Sequence, residues 1–159
     1  MNTAEGTAAP SELRVGDTTY RLRPLTYAAI GEFERWAQDF HLEQTERLIK
    51  HLDPESQATR RDEASRLASR LTMTAEDSEA ALVMGRIAQT MEGVVRLMWL
   101  SMRTEHPGLL LDQVGEIMAD PDAFSVAMER FNSLNDGDAG PVESGKPRRP
   151  RKKRASKSR

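Results

Sequence analysis

Apolar positions recur at helical spacing along most of this chain, most densely between Thr90 and Asp112. Met91, Val95, Met98 and Met102 fall at i, i+4, i+7 and i+11, with Val94, Leu97 and Leu100 as a second stripe beside them. So wide an apolar face predicts a central helix with neighbours on several sides. Glu92, Arg96, Ser101, Arg103 and Thr104 are left to face water, and Glu92 and Arg96 have the spacing of an i,i+4 ion pair. His106-Pro107-Gly108 ends the helix, since proline blocks its continuation and pushes the preceding residue out of α geometry.

Ahead of this hub, Leu13 and Val15, then Tyr20 and Leu22, alternate with polar residues around Gly16-Asp17, the pattern of a short β-hairpin. Two strands alone are marginal in water, so the hairpin is expected to lie on the helices. Thr26 suits an N-cap for a first helix carrying Ile30, Phe33, Ala37 and Phe40 with Trp36 alongside. The pattern resumes at Leu48, Ile49 and Leu52, which leaves one bent helix or two. Asp53-Pro54 restarts the chain as cap and first helical residue, and a second helix over 54–71 bears a thin stripe of Ala64, Leu67, Ala68 and Leu71. Residues 79–89 are helical and lead into the hub, with or without a break. Leu110, Val114, Ile117 and Met118 mark a short helix capped near Asp112. Asp120-Pro121 opens the last, with Phe124, Ala127, Met128 and Phe131 at i, i+3, i+4 and i+7.

The expected fold is therefore mainly α: a small bundle of about five helices with an N-terminal β-hairpin. Its predicted organisation is a disordered N-terminus over 1–11, one domain over 12–134 and a disordered tail over 135–159.

Charge changes the picture at that tail. The 159 residues sum to a net charge of −2, yet Lys146, Arg148, Arg149, Arg151, Lys152, Lys153, Arg154, Lys157 and Arg159 crowd into the last fifteen positions with no acid among them. The preceding 144 residues keep 14 basic against 25 acidic side chains, a net charge of −11. Such a tail would bind nucleic acid or an acidic partner surface by electrostatics alone, without sequence readout. It carries no aromatic residue for base stacking.

Candidate chemistry is sparse. The chain has no cysteine, which excludes disulfides, thiolate catalysis and zinc–cysteine sites. His41, His51 and His106 sit in different segments without ligand spacing, and neither a phosphate loop nor a nucleophile elbow occurs. No catalytic, metal or cofactor-binding residue is predicted, and the chain is expected not to be an enzyme. No apolar run approaches the ~20 residues of a membrane span, and the start of the chain lacks the features of a secretory signal, so a soluble cytosolic protein is expected. The residues predicted to meet a partner are Trp36, Phe40, Trp99, Phe124, Met128 and Phe131, beyond what a thin bundle needs for its own core.

Arg23-Pro24-Leu25-Thr26 opening an amphipathic helix, followed later by Gly93, Leu97, Trp99, Leu100, Arg103, His106 and Pro107, resembles the tail assembly chaperones of long-tailed bacteriophages and gene transfer agents. The resemblance covers about Leu13 to Phe131 and rests on structural rather than catalytic motifs. It implies a non-catalytic helical protein that binds the tape measure protein, keeps it soluble and helps recruit tail tube protein. Such a protein works in the host cytoplasm during viral morphogenesis and is not expected in the mature virion. It also implies a longer product made by programmed frameshift, for which Gly145-Lys146 or Lys152-Lys153 offers codon pairs. The strongly basic end departs from the family pattern. A nucleic-acid-binding accessory protein and a structural tail component remain the alternatives, and a homo-oligomer is compatible with each.

Overall fold

The computed structural model of the protein describes residues 10–135. Within them, a two-stranded antiparallel hairpin, β1 (Ser11–Val15) and β2 (Thr18–Leu22), precedes six helices. These are α1 (Tyr27–Ile49), α2 (Pro54–Ala68), α3 (Ser78–Gln89), α4 (Met91–Met102), α5 (Leu111–Met118) and α6 (Pro121–Asn135). β1 begins at Ser11 and α6 reaches Asn135, so these two residues of the segments expected to be disordered belong to regular elements. Asn135 is fixed because its Oδ1 accepts from the Leu25 amide and its Nδ2 donates to the Phe131 carbonyl. The rest of the predicted disorder, over 1–9 and 136–159, lies outside the described residues.

Gly16 takes a positive φ of 58° in the two-residue turn that pairs Val15 with Thr18. That register puts Leu13 and Leu22 on the inner face, both fully buried, with β1 on α6 and β2 against α4. The helix starts follow local capping chemistry. Thr26 Oγ1 accepts from the Ala29 amide, Asp53 from Glu55 and Ser56, and Asp120 from Asp122 and Ala123.

α4 is the hub that its sequence predicts. Eight of its twelve residues are buried, and α1, α3, α5, α6 and β2 all touch it. α1 is a single helix. Its N-terminal half joins this core, while its C-terminal half pairs with α2 through Ile49, Ala64 and Ala68, which are buried apart from the main cluster.

The chain breaks between α3 and α4, a point the sequence left open, and the bundle of about five expected helices has six. Thr90 is extended (φ −66°, ψ 157°) and serves both sides, donating to the Ile87 carbonyl and accepting from the Gly93 amide. Met91, expected in the apolar face, is consequently exposed in the first turn of α4. Ser101, expected in water, is buried because its hydroxyl donates to the Arg23 carbonyl at 2.5 Å. Arg96 makes no ion pair with Glu92 among the described residues; its guanidinium lies on the Trp36 ring instead. α2 ends at Ala68 rather than Leu71. α5 starts at Leu111, beside the expected Asp112, with Leu110 as its N-cap and Gln113 reaching back to the Leu110 amide.

Candidate partner-binding surface

α1 and α4 meet along a seam that concentrates aromatic and cationic side chains. On α1, Phe33, Trp36 and Phe40 stack in sequence, ring centroids 5.3 and 5.0 Å apart, because spacings of three and four put them on one side of the helix. Phe33 is buried; Trp36 and Phe40 are half-buried and form the outer part of the stack. On α4 and its C-cap, Arg96, Trp99 and Arg103 occupy one stripe. The Arg96 guanidinium lies 4.9 Å from the Trp36 ring centre and that of Arg103 lies 4.7 Å from Trp99.

The seam is closed at one end by a forked ion pair. Arg103 Nη1 and Nη2 donate to the two carboxylate oxygens of Glu32 at 2.8 and 2.6 Å. Hydrogen bonding to Arg103 holds the Glu32 carboxyl below the usual carboxylate range, with the charges of Arg103, Arg35 and Arg96 acting in the same direction. Partial burial pushes the Arg96 guanidinium down from its ordinary value, against the attraction of Glu32. Arg96 makes no hydrogen bond or ion pair among the described residues, so a cation has been partly desolvated without a direct carboxylate partner.

The six residues predicted to meet a partner do not form one surface. Trp36 and Phe40 are stacked together on α1, whereas Trp99 on α4 lies under the Arg103 guanidinium and donates its Nε1 to the Leu109 carbonyl at 2.8 Å. Phe124, Met128 and Phe131 lie on α6, whose neighbours are β1, α5 and α4. Phe131 is buried there, and Phe124 and Met128 are half-buried against the core. The nine basic residues from Lys146 to Arg159 lie outside the described residues. Sequence reasoning missed Arg96 and Arg103 as parts of the site. Their signal was a cation–aromatic–cation stripe at i, i+3 and i+7 on the hub helix.

A second concavity, of about 560 Å³, opens between α1 and α2. His41 lines it with Arg60, Glu63, Arg66, Arg70 and Glu79. Its arginines are already occupied: Arg60 pairs with Glu63, Arg66 with Asp62, and Arg70 with Asp77 and Glu79. The buried Nε2 of His41 has no partner among the described residues, and burial lowers the pKa of the ring. Among the described residues no group of three His, Asp or Glu side chains is placed to hold a metal ion, and no helix is long and apolar enough to cross a membrane.

The residues that carry the family resemblance are structural. Gly93 is the point of closest approach at the Thr90 corner, and Leu97 and Leu100 are core. Trp99 and Arg103 fasten the hub to the following loop and to α1. His106 Nε2 accepts from the Arg21 amide at 2.8 Å, tying the hairpin to the α4–α5 connection. No family model, curated protein or solved structure matches this chain.

Proposed function

We propose that this protein is a non-catalytic tail assembly chaperone that holds the apolar stripes of an unassembled tape measure protein and helps recruit tail tube subunits. The supporting observation is the stacked, half-buried pair Trp36 and Phe40 on one side of α1, an apolar patch carried by a helix. An acidic body suits the role, because like charge keeps chaperone-coated complexes apart. The motif resemblance supplies the identity of the client.

The test is co-expression with a fragment of the long helical product expected to be encoded next to this gene. The fragment should stay soluble and co-purify with the chaperone, and Trp36→Ala combined with Phe40→Ala should release it without unfolding the chain. A fragment that aggregates equally with or without the protein would remove the chaperone reading. The basic run favours a second reading, a nucleic-acid-binding accessory protein. Deleting 145–159 separates the two: under the chaperone reading the client still binds, while any retention on DNA at moderate salt is lost.

A further inference from the structure

The Arg96–Trp99–Arg103 stripe has a counterpart elsewhere on the same molecule. Seven residues separate its two cations, a distance of about 10.5 Å along a helix. On α6, Asp122 and Glu129 are also seven residues apart, with Val126 between them, and all three are exposed. Neither acid is in an ion pair among the described residues. One stripe reads cation, aromatic, cation at steps of three and four; read from its C-terminal end, the other reads anion, apolar, anion at the same steps, which sets Arg96 opposite Glu129 and Arg103 opposite Asp122 in an antiparallel contact.

The cations have donors to spare. Arg96 uses none of its N–H groups in a hydrogen bond within the described body, and the Glu32 fork engages two of the five on Arg103. Aromatic-backed arginines of this kind are the residues on which interface energy concentrates. In a body with a large excess of acid over base, two copies repel across most of their surface. A basic stripe facing an acidic one relieves that repulsion and fixes the register.

We infer that the Arg96–Trp99–Arg103 stripe of one copy receives the Asp122–Val126–Glu129 stripe of α6 on a second copy. Because the two faces differ, the contact is heterologous. Each added copy offers a fresh face, and the assembly closes into a ring or continues as an open chain rather than stopping at a two-fold dimer. The inference does not depend on the identity of any client.

The test uses the full chain, with sedimentation velocity over a range of concentrations. Wild-type protein should associate as concentration rises, with species beyond the dimer. Arg96→Glu and, separately, Glu129→Arg should each move the association to at least tenfold higher concentration. Glu129→Arg is on the outer face of α6, so it reports even where Arg96→Glu disturbs the stack on Trp36; circular dichroism checks that both variants fold. Mixing the two variants restores opposite charge at both kinds of contact and should bring association back towards the wild-type range. A wild type that stays monomeric to about 1 mM, or folded variants that associate like wild type, would overturn the inference. So would a mixture no stronger than its components.

Discussion

Gly93 stands in the first turn of α4 with its Cα turned against the end of α3. A Cβ built there would lie 2.1 Å from the Ile87 carbonyl oxygen, a backbone atom that cannot step aside. Alanine is ordinarily the better helix former by about 1 kcal/mol. Gly93→Ala should nevertheless destabilise the protein by about 1–3 kcal/mol, the usual range for overpacking, measured by urea unfolding. An unchanged or raised midpoint would show that the corner is not sterically closed. The sequence displays a lone glycine in an apolar run but not the carbonyl it must clear. Ser101 and Arg96 were obscured in the same way. A polar side chain in a helix reads as solvent-facing until its partner is known. For Ser101 the partner is the Arg23 carbonyl, 78 residues away, and for Arg96 it is a ring on another helix.

Among elements, the starts capped by Thr26, Asp53 and Asp120 were legible, since each cap and the amides it satisfies lie within three residues. The break at Thr90 stayed open, because apolar residues continue at helical spacing through the corner. The hairpin strands were legible from their alternation, but not what holds them. Arg23 donates its amide to the Ser101 carbonyl and pairs with Glu105, while His106 accepts from Arg21 and meets Tyr20 edge-on. His106 therefore does more than mark a helix end. His106→Ala should leave the helices intact but speed hydrogen exchange at the Arg21 amide and its neighbours in β2 by several-fold or more. Exchange that accelerates equally in α4 would instead indicate a global loss of stability. As for the surface, the aromatics of the seam were readable from periodicity. The placing of Arg96 over Trp36 depends on how α1 and α4 cross, whereas Arg103 meets Trp99 at i, i+4 within its own segment.

For the molecule as a whole, His41 makes stability depend on pH. Folding keeps its ring neutral below the usual histidine range, whereas the unfolded chain takes up a proton near pH ~6.5. The unfolded state then binds more protons, so stability should fall as pH drops below about 6.5. Glu32 has the opposite charge type but the same consequence: its lowered pKa gives stability that is complete at neutral pH and lost as pH falls below about 4.3. Thermal melts between pH 8 and 3 should show both declines, and His41→Leu should flatten the first. A wild-type melting temperature constant from pH 7 to 5.5 would contradict the assignment to His41. The contacts that close this body have a consequence for its synthesis. β1 and β2 leave the ribosome early, yet β2 and the segment after it need Ser101, His106 and Asn135, at separations of 78, 85 and 110 residues. At about 5–20 residues per second the last of these follows its partner by roughly 5–20 s. For that interval a protein proposed to shelter another chain's apolar surface has its own hairpin uncovered.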